Sequence, residues 1–354
     1  MPQSNALTTD ALTLLKRLIA TPSFSREEAG TATLIEEFFR ERQIAGKRLK
    51  NNVWALNRHF DPAKPTLLLN SHHDTVRPNK SYSLDPFAPI EQDGKLFGLG
   101  SNDAGGCLVS LLVAFVYFYD RPAMTHNVVM AATAEEEISG RDGLEMLLPE
   151  LPPPSFAMVG EPTEMQLAIA EKGLLVLDCQ SQGVSGHAAR DEGENAIYNA
   201  IRDINWLITY QFPKVSPTLG LVKMSVTMIN AGTQHNVVPD SCTFTVDVRV
   251  TEQYTLEDVI ETIQANIRAE VKPRSIRLKP SSIPVEHPIV QAGLLLGRHT
   301  YGSPTTSDQA VLNCPSLKCG PGHSARSHSA DEFIYLREIE EGIDGYIKML
   351  EKVL

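Results

Sequence analysis

Along the first 170 residues, short apolar runs alternate with stretches of helical periodicity. Residues 66–70, 127–132 and 156–159 are compact, β-prone runs bounded by polar residues, Gly or Pro. Such runs suit strands buried on both faces, as in a parallel sheet. Residues 104–119 lie between the first two and are long enough for a crossover helix. The pattern predicts an α/β region in which helices cover a mostly parallel sheet.

From about Gly173 the period changes. Cys242, Phe244, Val246, Val248 and Val250 alternate with Thr243, Thr245, Asp247 and Arg249, which predicts a half-exposed strand. Val222, Met224, Val226 and Met228 alternate in the same way. Ile197, Ile201, Ile204 and Ile208 recur at helical spacing and predict one amphipathic helix. Leu256, Ile260, Ile263 and Ile267 predict a second, started by the pair Thr255 and Asp258. With strands at 174–179 and 276–278, the order is β-α-β-β-α-β, the ferredoxin-like pattern. From about Pro284 the chain returns to mixed α/β character and ends in a helix at 335–353.

Composition narrows the classes. A chain of 354 residues exceeds the usual single-domain size, so two domains are expected. Acidic residues outnumber basic ones 43 to 32, for a net charge of −11, and no basic patch stands out. Nucleic acid is therefore not an expected partner. The most apolar stretch, 107–119, is shorter than the roughly 20 residues a bilayer span needs. The first residues lack a basic segment followed by an apolar core, so neither a signal peptide nor a membrane partner is expected. Cys107, Cys179, Cys242, Cys314 and Cys319 are odd in number, dispersed and without a Cys-x-x-Cys pattern. They read as buried thiols in a reducing compartment, which points to the cytoplasm.

The candidate chemistry lies at strand ends. His72-His73-Asp74 follows the first strand and Glu135-Glu136-Glu137 the second, while Glu161 follows the third. Asp103 sits in a Gly-rich loop just before the crossover helix. Singly, a His-x-Asp is usually a surface turn and a Glu run a solvated helix start. Together they converge where open α/β sheets bind ligands, beyond the carboxyl ends of the strands. Carboxylates at that density need a cation, and a mixed His/carboxylate set suits zinc, cobalt or manganese better than calcium.

Seven motifs in order carry a resemblance. They are Ser71-His72-His73-Asp74-Thr75-Val76, Gly100-Ser101-Asn102-Asp103-Ala104-Gly105-Gly106, Thr133-Ala134-Glu135-Glu136-Glu137 and Gly160-Glu161-Pro162-Thr163. Ser185-Gly186-His187-Ala188-Ala189, Asn236-Val237-Val238-Pro239-Asp240 and Gly320-Pro321-Gly322 with His328 complete the set. Together they resemble the acetylornithine deacetylase and succinyl-diaminopimelate desuccinylase family of di-metal aminoacylases and peptidases, closest to the acetylornithine deacetylase branch. The resemblance implies two divalent ions, zinc first and cobalt or manganese next, with Asp103 shared between them. His72 and Glu161 would complete one ion, Glu137 and His328 the other. Glu136 would be the general base, and Asp74 would orient His72. His73, Ala104 and Glu135 depart from the common pattern, but none of them is an implied ligand or base.

The same resemblance implies a zinc-peptidase-like catalytic domain built from residues 1–173 and 284–354. The ferredoxin-like segment, 174–283, would be inserted as a lid and dimerisation domain, making a homodimer. His187 would then reach the partner's active site as an oxyanion donor, helped by Asn236. The implied reaction hydrolyses the amide of a small N-acyl amino acid in arginine biosynthesis. N-acetylornithine comes first, then acetylated or succinylated citrulline or succinylornithine. A di- or tripeptidase or a succinyl-diaminopimelate desuccinylase is the alternative, whereas a silent binding protein would be expected only with a ligand or Glu136 missing. A substrate α-carboxylate calls for fixed positive charge. Arg249, Arg326 and Lys172 are the candidates, with Thr306 in a loop resembling a substrate-contacting one. An Arg249–Asp247 pair on one strand face is an equal reading of Arg249.

Overall fold

The computed structural model describes residues 2–354, so Met1, at the head of the stretch read for a signal peptide, lies outside the described residues. The chain divides into two units. One holds the residues up to Ile169 with Ser282–Tyr301 and Ser307–Leu354; the other holds Ala170–Ser281 and Gly302–Thr306.

The first unit is α/β. Thr66–His72 and Asn127–Thr133 are buried along their whole length, as is Phe156–Val159. In the sheet, Thr66–His72 lies between the other two and runs parallel to both. Ser316–Lys318, far along the chain, adds parallel to Phe156–Val159, and antiparallel strands such as Asn52–Leu56 flank the parallel centre. The Gly106–Tyr119 helix crosses between the first two parallel strands, with nearly every position buried in the core. Its apolar run is thus a core helix, hydrophobic all round because protein surrounds it. All five cysteines are free, and only Cys314 is less than fully buried.

The second unit carries an antiparallel sheet in the order Lys223–Ala231, Ser241–Val250, Gly173–Gln182, Glu270–Pro273. Its Leu256–Asn266 helix starts at a capping box, with Thr255 and Asp258 each accepting the other's backbone N–H at 3.0 Å. Two details differ from the sequence expectation. The last strand is Glu270–Pro273 instead of 276–278. Val271 is its one fully buried residue and gives no alternation to read, while Ile276 is exposed. The Ala196–Thr209 helix is rotated by one residue, burying Ala196, Ala200, Asp203 and Leu207. The alanines let the helix approach closely, and the Asp203 carboxylate is satisfied by the N–H groups of Arg268 and Ala269. Ile201 and Ile208 therefore face solvent, with Tyr198 beside them in sequence. On the edge strand a bulge between Val226 and Met228 breaks the alternation, leaving Met228 and Ile229 both exposed.

Candidate active site

The parallel register aligns the ends of three strands, and their next residues form one cluster in the first unit. His72 is the last residue of its strand and pairs with Thr133, three residues before Glu136. Glu161 comes two residues after Val159. The 98–103 loop brings Asp103 to the same place, and the strand at Ser316–Lys318 returns the chain so that His328 joins it. His72, Asp103, Glu136, Glu137, Glu161 and His328, 256 positions apart from first to last, meet in one volume.

The contacts are close. His72 Nε2 lies 3.3 Å from Asp103 Oδ1 and 3.9 Å from both Glu136 Oε2 and Glu161 Oε1. His328 Nε2 lies 2.9 Å from Glu137 Oε2 and 3.8 Å from Asp103 Oδ2. Two overlapping donor sets, His72/Asp103/Glu137 and His72/Glu136/Glu161, each have their ligand atoms within 4.8 Å of one another. Asp74 is fully buried beneath them. Its backbone carbonyl is 2.9 Å from His72 Nδ1 and its Oδ1 is 3.4 Å away, so both face the ring nitrogen turned away from the cluster. The Asp74 carboxylate also accepts the Glu136 and Glu137 N–H groups and the Ser25 hydroxyl. One buried carboxylate thus ties the histidine end of one strand to the glutamate loop of the next.

The electrostatics fit a cation-binding site. Burial pushes the Glu161 carboxyl up to about 8, opposed by His72 and reinforced by Asp103. Burial also raises Glu136, with Glu161 and Asp308 adding to the effect against His72. Burial works against the charged form of His72, but its bonds to Asp103 and Asp74 hold it well above the imidazole range. The Glu137 hydrogen bond raises His328 to about 9. Glu161 Oε1 is buried without a hydrogen-bond partner. An orphaned carboxylate oxygen among crowded acids is what a divalent cation would satisfy. The donor chemistry, imidazole plus carboxylate, matches zinc-type ions.

The other expected residues divide. His73 is committed elsewhere: Thr31 Oγ1 meets its Nδ1 at 2.8 Å, Asn51 O meets its Nε2 at 2.9 Å, and burial lowers it to about 4. Arg326, expected to grip the substrate carboxylate, is instead forked onto Glu338 at 2.7 and 2.9 Å and covered by the rings of Phe333 and Tyr335. Its charge is matched there by Glu338, as that of Arg249 is by Asp247. Arg249, Thr306 and Lys172 come together in the second unit. Arg249 forks onto Asp247, and its remaining nitrogen lies 3.4 Å from Thr306 Oγ1. Thr306 Oγ1 in turn donates to Lys172 O, while Lys172 Nζ donates to Leu221 O. His187 and Asn236 are also neighbours in that unit, in a short ribbon where Ala188 N donates to Asn236 O.

Sequence reasoning missed one buried acid of the cluster, Glu332, and took Asp308 only as part of the Thr306-Ser307-Asp308 loop resembling a substrate-contacting one. Asp308 accepts the Thr133 hydroxyl at 2.7 Å beside the strand end that leads to Glu136. Glu332 accepts three backbone N–H groups from the loop that carries Asp103. The only signal for Glu332 was its place four residues after His328.

Among known proteins, acetylornithine deacetylase of Proteus mirabilis (strain HI4320) is 29% identical, covering 92% of both chains. Acetylornithine deacetylase of Yersinia pseudotuberculosis (serotype O:1b) is 31% identical over 77% of this chain and 75% of that protein. Of solved structures, aminopeptidase PepT from Bacillus cereus superposes with a TM-score of 0.79 at 16% identity, covering 98% of each chain. A dinuclear metal-binding M20 peptidase from Bacillus subtilis superposes with a TM-score of 0.73 at 17% identity, covering 99% of this chain and 100% of that one. Residues 68–352 match Peptidase family M20/M25/M40, and with this match over most of its length the chain belongs to that family of metallohydrolases.

Proposed function

We propose that this chain hydrolyses the amide of an N-acyl amino acid, with N-acetylornithine of arginine biosynthesis as the leading substrate, using two divalent ions, zinc first. The observation that carries the two-ion reading is the Asp103 carboxylate, whose Oδ1 faces His72 while Oδ2 faces His328. On this reading His72, Asp103 and Glu161 hold one ion, and Asp103, Glu137 and His328 the other. Bound there, the ions would polarise the scissile carbonyl and lower the pKa of water. The protein's own work is proton handling and orientation. Glu136, buried and raised, takes a proton from the attacking water and delivers it to the leaving amine. Asp74 holds His72 in register and fixes the backbone of Glu136 and Glu137.

The second unit is proposed as a ferredoxin-like lid that also pairs two copies. Its strand order and two helices support that reading. So does its exposed apolar surface of Ile201 and Ile208 on the helix and Met228 and Ile229 on the edge strand. Arg249 and Thr306 are proposed to meet the substrate carboxylate, with Lys172 adding positive charge. His187, with Asn236, would serve the partner's site. The dispersed free cysteines support a cytoplasmic location.

The relatives named acetylornithine deacetylase favour that substrate, and a panel tests it. Zinc- or cobalt-loaded protein is given acetyl- and succinyl-ornithine, -citrulline and -diaminopimelate, together with unblocked di- and tripeptides. Acetylornithine should give the highest kcat/KM. Turnover confined to peptides with a free amino terminus would replace the deacylase reading with a peptidase.

Metal loading should also release protons at pH 7. Glu161 and His328, at about 8 and about 9, hold protons there that ion binding must displace. Apparent affinity should therefore rise from pH 6 to pH 8. Calorimetry in buffers of different ionisation enthalpy reads the release directly, and a binding heat independent of buffer contradicts it.

A further inference from the structure

Glu332 is a carboxyl group with 2% of its surface exposed, and its side-chain oxygens are met by backbone N–H groups. Its Oε1 accepts the N–H groups of Asn102 at 2.8 Å and Asp103 at 2.9 Å, and its Oε2 accepts that of Gly100 at 2.9 Å. The backbone carbonyl of Glu332 takes a fourth N–H from the same loop, Gly98, at 3.0 Å. Converging backbone N–H groups form a nest for acceptor oxygens, and here the acceptor is a side-chain carboxyl group of the protein. Without it, two buried donors and one part-buried donor would be left unmatched, each buried one a substantial penalty. The loop also passes close to its neighbours at Gly100, where a side chain would not fit. Gly100 has φ +75°, and a Cβ there would meet Thr75 Cγ2 at 2.5 Å.

What Glu332 joins is more telling than what it satisfies. It lies four residues after His328, on the same segment, and just before the Phe333–Tyr335 strand that pairs with Lys95–Phe97. Its carboxyl group therefore connects the segment bearing His328 to the loop bearing Asp103, two residues proposed as ligands of the same ion. The neighbouring Asp331 points elsewhere, accepting the Ser83 and Leu84 N–H groups. Two adjacent acids thus anchor two different loops, and only one of those loops carries a ligand.

We propose that Glu332 is the positioning residue of the metal centre, fixing the Asp103 carboxylate between the His72 and His328 imidazoles by gripping the backbone of its loop. This rests on the reading of Asp103 as the shared ligand. Partners that orient ligands typically cost 10–100-fold in metal affinity when removed, and the same range is expected here.

The test compares Glu332→Gln with Asp331→Asn in the full chain. Cobalt is titrated into metal-free protein while its visible absorption is followed, and the melting temperature of the metal-free protein is recorded. Glu332→Gln should bind cobalt 10–100-fold more weakly with an altered absorption envelope, while its metal-free melting temperature falls by only about 5 °C or less. Asp331→Asn should keep cobalt affinity within about threefold, because it loosens a loop without a ligand. If Glu332→Gln does not fold, Glu332→Asp, which withdraws the carboxylate by one methylene, is read in the same way. Wild-type affinity and spectrum in the Glu332 variant, or equal losses in both variants, overturn the proposal. If the wild-type chain itself binds fewer than two cobalt ions, the shared-ligand reading fails first and this inference falls with it.

Discussion

Replacing Asp103 with alanine is expected to remove both ions and reduce amide hydrolysis to background. The reason is geometric. The two oxygens of this one carboxylate face different histidines, at 3.3 Å from His72 and 3.8 Å from His328. Without it, one proposed ion retains His72 and Glu161, and the other retains Glu137 and His328. Two protein ligands apiece fall short of the three that catalytic zinc sites supply. The remaining acid of the cluster, Glu136, does not make up the loss, because burial holds it toward its protonated form. Metal analysis after dialysis is the direct reading. Thermal melting gives a second one, since ion binding to the native state should raise the wild-type Tm by mass action and leave the variant's unchanged. Two tightly held ions in the variant would show that Asp103 is not shared; one would assign it to a single ion.

How much of this was legible in the sequence follows from how each feature is encoded. The parallel strands announced themselves because burial on both faces leaves an uninterrupted apolar run, and the acids and His72 stood at their ends. The first turn of the Leu256–Asn266 helix was legible for a similar reason: Thr255 and Asp258 satisfy each other within four residues. Features set by distant partners were not. The isoleucines of the Ala196–Thr209 helix have the spacing of a buried face, but so do Ala196, Ala200, Asp203 and Leu207, and contact with the sheet chose between them. Arg326 looked well placed for a carboxylate ligand because it lies two residues from His328. Glu338, twelve positions on, already occupied both arms of its guanidinium. Glu332 has no local pattern at all, since its partners are backbone N–H groups some 230 residues away.

Glu136→Gln is expected to keep both ions and substrate binding while lowering kcat by roughly 10²–10⁴, the usual range for a lost general base. Glutamine preserves the shape but cannot take the proton, and Glu136 is not one of the five proposed ligands. A kcat near that of the wild type would move the base, with Glu135 the next suspect. Glu135 is a weaker candidate: its backbone at φ +56° turns the side chain toward Arg26, and the adjoining Gly140 packs against it. The same variant also tests the partner contribution proposed for His187. In the tetrahedral intermediate the carbonyl oxygen gains charge, and a preorganised donor is worth about 3–4 kcal/mol there. If His187 supplies that donor across a dimer, Glu136→Gln and His187→Ala should each be nearly inactive alone. In a mixed dimer, the site with an intact Glu136 belongs to the His187→Ala chain and receives the intact His187 of its neighbour. One working site per heterodimer should appear on subunit exchange. Its kcat should approach that of the wild type, because both defects then sit together in the other, silent site. Verified heterodimers as inactive as their parents would place His187 in its own chain's site or outside catalysis.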